Sequence, residues 1–253
     1  MHTDEPPVLT TTRPGALWAT LNRSEAGNTL RADSLTALHR ALDSAETDPA
    51  CRALVLASDA DAFCLGLDLR HPPLADEWHT GRADESYWRL LGRLRSTALV
   101  TIAVVNGPAA GGGVGLAAAC DLLIAGRQAT FRLPEVFYGL LPAMITPVLS
   151  RRIGEHRVFR MSLLAEPLDA QAAESAGLVD MVADDPHQAV RRLMAAIART
   201  DRDTVQQLKA SHRLLFSVAP DYGLYAGQLL ARRLDDPKVR QRIDRLRANE
   251  DQP

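Results

Sequence analysis

A glycine-dense stretch is the first place where this chain could do chemistry. Thr101–Asp121 reads Thr-Ile-Ala-Val-Val-Asn-Gly-Pro-Ala-Ala-Gly-Gly-Gly-Val-Gly-Leu-Ala-Ala-Ala-Cys-Asp. Its β-branched run (Ile102, Val104, Val105) predicts a buried strand, which Asn106-Gly107-Pro108 ends in a turn. Gly111, Gly112 and Gly113 then open a short helix of small residues. A strand, a glycine turn and a helix start leave backbone N–H groups unpaired at a positive helix terminus, with no Cβ to hold a ligand off. Such a terminus suits an anion, either a phosphate or the oxyanion of an enolate. Gly113-Val-Gly115-Leu-Ala-Ala118 also fits the dinucleotide pattern G-x-G-x-x-A. Its context is poor for that use, because the turn comes several residues after the strand and the helix has room for only about two turns. A third reading keeps the glycines for close packing alone. The oxyanion reading needs a second donor, and Ser58–Arg70 offers one: a strand runs into a loop whose residues after Gly66 can present backbone N–H groups. Cys64 lies beside that loop with no evident His partner, which argues against a nucleophilic thiol.

These loops must be positioned by a sizeable core, and the composition permits one. The chain has 253 residues, 46% hydrophobic and 24% charged, with a net charge of −2. That is enough for one large α/β core or a core with an appendage. The near-zero charge gives no polybasic field for nucleic acid or a membrane surface. Cys51, Cys64 and Cys120 are scattered without metal-ligand spacing, as in a reducing compartment. No secretory signal or membrane-spanning run is apparent, so a cytoplasmic location is expected.

Strands are predicted at Ala16–Leu21, Arg52–Ala57, Asp121–Ala125, Thr130–Leu133 and Leu178–Val182, besides the one before the glycines. A helix from about Leu30 to Ser44 puts Leu35, Leu38 and Leu42 on one face. Another, from about Asp84 to Arg95, groups Trp88, Leu91 and Leu94. Residues 71–83 read as irregular, a candidate substrate lid. Helices follow at about 143–152, 155–164 and 169–176. The last third is helical: Pro186–Ala198, Asp203–Leu215, Tyr222–Leu234 and Pro237–Ala248. The pattern is a repeating ββα core with a helical tail.

Taken in order, these landmarks resemble the crotonase (enoyl-CoA hydratase/isomerase) superfamily. The likeness rests on Leu21-Asn-Arg-Ser-Glu-Ala-Gly-Asn28, Phe63-Cys-Leu-Gly-Leu-Asp-Leu69, Asn106-Gly107 through Gly113, Cys120-Asp121, Pro134-Glu135, Gly139-Leu-Leu-Pro142, Arg152-Ile-Gly154 and Ala176-Gly-Leu-Val-Asp180. It implies an α/β fold with a ββα spiral core carrying the thioester site (residues 1–190). It also implies a C-terminal helical region (191–253) for trimerisation and closure of the substrate pocket. The expected assembly is a trimer or dimer of trimers.

By the same resemblance, the oxyanion donors are the amides of Leu67 and Gly112, and Arg70 falls where many members carry a Lys near the CoA phosphates. Hydratases of the family hold water between two glutamates. The first falls at Gly115, which has no side chain; the second falls at Glu135, the implied acid/base. One carboxylate suffices to take an α-proton and return it to another carbon or to a departing hydroxyl on the same face. Glu135 could alternatively cap the helix that follows it.

Ala110–Gly115, Phe131–Pro142 and Pro147–Gly154 are similar to the free-standing dehydratases of polyketide β-branching cassettes. That likeness implies dehydration of 3-hydroxy-3-methylglutaryl on an acyl carrier protein to the 3-methylglutaconyl thioester. The alternatives are a CoA-thioester isomerase or hydratase, and a catalytically silent scaffold. No metal or cofactor of the protein's own is called for, since the acyl group rides on phosphopantetheine or CoA. The substrate's distal carboxylate needs a cation or N–H partner, for which Arg70, His71, Arg132, Lys209 and His212 are candidates. Tyr138 is placed to line the acyl pocket or to join the core. Arg232, Arg233, Lys238, Arg240, Arg242, Arg245 and Arg247 offer a docking face for an acidic carrier protein. Balanced by Asp235, Asp236 and Asp244, the same residues also read as an ordinary solvated face.

Overall fold

The computed structural model describes residues 5–69 and 87–250. Six strands form the main sheet: β1 (Val8–Arg13), β2 (Ala16–Leu21), β3 (Ala53–Ser58), β4 (Val100–Val105), β6 (Leu122–Gly126) and β9 (Met181–Ala183), in spatial order β1-β2-β3-β4-β6-β9. Only β1 runs antiparallel to its neighbour; every other pairing is parallel. All six residues of β3 are buried, as expected of a parallel strand covered on both faces. On one face lie α1 (Ala32–Thr47), through Leu35, Leu38 and Leu42, and α2 (Tyr87–Ser96), through Leu90, Leu91 and Leu94. On the other, Trp18, Val55, Ile102, Val104 and Ile124 meet Val190 and Ile197 of the helix Pro186–Ile197.

A second, small sheet carries the site. Its strands are β5 (Pro108–Ala110), β7 (Thr130–Arg132) and β8 (Leu168–Asp169), ordered β5-β7-β8. Bridges Cys64–Ala109 and Leu30–Leu67 extend the same layer toward the N-terminal segments. The chain therefore alternates: a long strand in the main sheet, a short one in the second layer, then a helix. This is the ββα repeat, and the family fold expected from the sequence.

Several boundaries differ from expectation. Strand β1 was not foreseen because only Val8 of its six residues is buried; Thr10, Thr11 and Thr12 carry no apolar alternation, and pairing with β2 holds the strand in place. The predicted turn at Asn106–Pro108 is followed at once by β5, whose Pro108 donates no hydrogen bond to the ladder. The final strand starts at Met181 and not at Leu178. The helix predicted over 143–152 starts at Thr146, with Pro147 in its first turn, where a missing N–H costs nothing. Residues 71–83, read as a lid, lie outside the described residues.

The helical tail is tied to the core by polar and apolar contacts. The Arg202 guanidinium donates to the carbonyls of Ala45 (2.9 Å), Glu46 (2.9 Å), Asp48 and Cys51 (2.9 Å), closing the C-terminal end of α1. Val239 and Ile243 of the last helix pack on Leu140, beside the site. No helix among the described residues is long and apolar enough to cross a membrane.

Candidate active site

Two glycine loops meet at one cavity of about 720 Å³. The first is drawn in by Asn28. It adopts φ +53°, and its side chain donates to Ser58 Oγ (2.8 Å) and the Ala62 carbonyl (3.0 Å). Leu30 N–H donates to Gly66 O (2.7 Å), Asp68 N–H donates to Leu30 O (3.1 Å), and Arg31 pairs with buried Asp68 at 2.5 Å. Together these contacts fix the backbone on either side of Leu67. The second loop is pinned by Ala110 N–H to Cys64 O (2.9 Å) and Gly111 N–H to Arg132 O (2.9 Å).

Where the loops touch, only glycine fits. Gly66 has φ +89°, and a Cβ there would lie 2.8 Å from Ala110 O and 3.2 Å from the amide nitrogen of Gly112. Leu67 and Gly112 both line the cavity, and neither amide donates a hydrogen bond among the described residues. Gly112 opens the helix α3 (Gly112–Ala119), so its amide also stands at a positive helix end. Two such donors side by side can hold a carbonyl oxygen on which negative charge builds. The Cys64 thiol is fully buried and pushed up to about 12 by that burial, so it stays protonated.

Glu135 faces the same cavity. It starts a single helical turn, α4 (Glu135–Tyr138), which ends on Gly139 in the left-handed region. Its carboxyl accepts from its own backbone N–H and, among the described residues, caps no later residue of that turn. Instead the carboxylate lies against the second loop: a Cβ on Gly111 would sit 2.9 Å from Glu135 Oε1. Oε2 is fully buried with no hydrogen-bond partner among the described residues. Burial without a partner disfavours the charged form and lifts the carboxyl from its ordinary 4.5 to about 7; a bond from its own backbone N–H opposes this only partly. A carboxyl poised near neutral pH can both take and return a proton.

Among the described residues the other acids on the cavity wall are Glu25 and Asp68, and Asp68 is paired with Arg31. Gly115 lies one turn into α3, and a Cβ built on it would come within 2.5 Å of the Tyr87 hydroxyl and closer still to Ile145 Cγ2. The space is filled by these two side chains, with Leu30 and Met144 nearby on the cavity wall. Tyr87 is buried, and its hydroxyl donates to Gly112 O at 2.5 Å.

The other predicted residues divide. Arg132 and Tyr138 line the cavity. Arg132 is anchored through Nε to Ala165 O (2.6 Å) and stacks over Phe137. Arg70 and His71 lie outside the described residues. Lys209 and His212 are elsewhere, beside a separate cavity near the other end of α3. Lys209 is buried and pairs with Asp121 (2.5 Å) while donating to Leu99 O (2.6 Å), so it belongs to the core and not to the site. Part of the basic C-terminal cluster is likewise engaged: Arg233 donates to Gly139 O (2.7 Å), and Arg240 pairs with Asp235 (2.7 Å). Ala226 and Leu230, from the helix Tyr222–Asp235, close the cavity's far wall. Sequence reasoning missed Tyr87 and Arg31. Among the described residues, no three His, Cys, Asp or Glu side chains are grouped to hold a metal ion.

Residues 12–229 match the sequence profile of the family described as enoyl-CoA hydratase/isomerase. The chain is 30% identical over 196 residues to the bacillaene synthase dehydratase PksH of Bacillus subtilis strain 168, covering 76% of this chain and 74% of that protein. It is 34% identical over 211 residues to the 2,3-dehydroadipyl-CoA hydratase of Escherichia coli K12, covering 82% of each. A crystal structure of a Bacillus subtilis protein described as a polyketide biosynthesis enoyl-CoA hydratase (PksH) superposes with a TM-score of 0.84. The two share 25% identity, over 97% of this chain and 98% of that one.

Proposed function

The chain belongs to the enoyl-CoA hydratase/isomerase family, a hydratase/dehydratase-type lyase; from that premise we propose that it dehydrates 3-hydroxy-3-methylglutaryl carried on an acyl carrier protein to the 3-methylglutaconyl thioester. The observation that carries this reading is the buried carboxyl of Glu135, which shares one cavity with the two glycine loops while Tyr87 and Ile145 fill the space above Gly115 and leave no room there for a second acid. A two-carboxylate hydration is disfavoured there, whereas a syn elimination needs one group to move one proton. The PksH relative, named as a dehydratase, supports the same reading.

In this mechanism the thioester oxygen accepts hydrogen bonds from the Leu67 and Gly112 amides. Glu135, ionised, removes the C2 proton, and the charge that builds on the oxygen is met by donors already in place. The C3–O bond then breaks, the C2–C3 double bond forms, and Glu135 returns its proton to the departing hydroxyl as water. Arg132 meets the distal carboxylate: Nε is held by Ala165, which leaves the terminal nitrogens for a two-point contact. The acyl group arrives on phosphopantetheine, and the carrier's acidic face docks near the basic last helix. A homotrimer is part of the proposal. Phe159, Leu163 and Leu164 are exposed on the helix Glu155–Leu164, an apolar face suited to a partner copy. Light scattering that gives a monomer mass would remove it.

A CoA-thioester hydratase is the second reading, favoured by the Escherichia coli relative's name. The test is a three-way comparison of the 3-hydroxy-3-methylglutaryl carrier protein, its CoA form and a 3-enoyl-CoA, with loss of water or double-bond shift read by mass spectrometry and NMR. Strong preference for the carrier-bound hydroxy acid is expected. Equal or better turnover of CoA substrates would transfer the assignment to the second reading.

A further inference from the structure

Tyr87 brings to the site a buried polar group that the mechanism above does not use. We propose that the Tyr87 hydroxyl receives the substrate's 3-hydroxyl group and orients it toward Glu135, making Tyr87 the residue that selects for 3-hydroxyacyl thioesters. This inference rests on the dehydratase reading and names the group that fixes its substrate class.

The geometry places the phenol oxygen over the first turn of α3. A Cβ on Gly112 would lie 3.7 Å from both Cζ and the hydroxyl oxygen of Tyr87, and one on Gly115 would lie 2.5 Å from that oxygen. Two glycines in that turn therefore make the space that the phenol fills. Tyr87 shares the cavity wall with Leu67, Gly112 and Glu135, so its oxygen and the carboxyl flank the same helix start.

The hydrogen-bond inventory sets what this oxygen can do. A phenol has one proton and two acceptor sites. The proton is committed to Gly112 O at 2.5 Å, and no N–H or O–H among the described residues donates back. What Tyr87 offers the cavity is thus an acceptor to which no described residue donates, which suits an O–H group on the ligand. Burial, and after it the neighbouring Cys64 thiol and Glu135 carboxyl, keep the phenol's acidity far below that of a free tyrosine. It can accept a hydrogen bond but will not act as the base. Leu30 approaches the same space above Gly112, and Ile145 the same space above Gly115.

During elimination Tyr87 keeps its proton throughout. The C2 proton passes to Glu135, its bonding pair becomes the C2–C3 double bond, and the C3–O pair leaves with the hydroxyl, which takes the proton from Glu135. While the 3-hydroxyl hydrogen points at Tyr87, a lone pair of the same oxygen is turned toward Glu135, as that return requires. A thioester without the 3-hydroxyl leaves the buried acceptor unpaired, so discrimination against it follows.

The test uses Tyr87→Phe in the full chain with two reactions. One is dehydration of the 3-hydroxy-3-methylglutaryl carrier protein. The other is deuterium exchange at C2 of the 3-methylglutaryl carrier protein, which lacks the hydroxyl but needs the same base and amides. We expect dehydration to fall about 10- to 100-fold while exchange stays within about threefold. Equal loss of both would assign Tyr87 a structural role at the Gly112 carbonyl and overturn the proposal, as would dehydration left intact. If the Phe chain does not fold, the Glu135→Gln chain with Tyr87 in place decides by binding. A preference of about 10-fold or more for the hydroxylated ligand over the deoxy one supports the proposal, and equal affinity overturns it. Failure of the wild-type chain to dehydrate any 3-hydroxyacyl thioester would instead remove the parent reading, a result distinct from intact dehydration in the Phe chain.

Discussion

Replacing Glu135 by Gln separates what this carboxyl does for stability from what it does for catalysis. In the fold its pKa is lifted from 4.5 to about 7, chiefly by burial. A raised folded-state value means stability that is fully present below about pH 4.5 and is lost as pH climbs through about 7. The interval corresponds to about 3 kcal/mol, at 1.36 kcal/mol per pH unit. Gln carries no charge, so the substituted chain lacks this loss. Its amide also leaves a buried polar group unpaired, a cost of about 1–3 kcal/mol that does not depend on pH. The informative quantity is therefore the change in the stability difference between pH 4.5 and 8.5, measured by urea titration of both chains. The substituted chain should gain about 3 kcal/mol relative to wild type over that range, with kcat lowered by about 10²–10⁴-fold. In the wild type, kcat/KM should fall below about pH 7 as the base becomes protonated. Parallel stability curves for the two chains would show that Glu135 ionises as a solvated carboxylate and would refute the argument.

Gly115→Glu should not create a hydratase: the new side chain must displace Ile145 and the Tyr87 hydroxyl. A loss of about 1–3 kcal/mol without gain in crotonyl-CoA hydration is expected. Gly66→Ala forces a strained φ of +89° and pushes on Ala110 O; activity should drop about 100-fold or more as the donor amides part, read by steady-state kinetics on folded protein. Lys209→Met should destabilise by about 3–5 kcal/mol through the stranded Asp121, with kcat per folded molecule changed less than about twofold.

Much of the site was legible because its logic is steric. Gly66, Gly111 and Gly112 stand where two loops approach within contact distance, and strand-then-glycine is visible in any linear reading. The faces of the helices around Leu38 and Leu94 were legible from apolar spacing. Hidden were features whose cause is tertiary. Strand β1 has a solvent-facing, threonine-rich pattern and is held only by its neighbour. Tyr87 is positioned by a carbonyl 25 residues away, and nothing local marks it. Lys209 looked like a free cation, yet Asp121 and Leu99 enclose it. Arg31 stands in no motif, and only its contact with Asp68 makes it a brace of the first glycine loop.

The plug of phenol and isoleucine above Gly115 also constrains the history open to this chain. A lineage drifting from here toward two-acid chemistry cannot arrive by one codon change at that position. Ile145 must shrink and Tyr87 retreat beforehand, and each of those steps strips packing from the site with nothing yet gained. The reverse walk is easier, since truncating an acid to glycine opens a void that larger neighbours can then occupy. The contact thus works as a ratchet on which side chains can stand at that position.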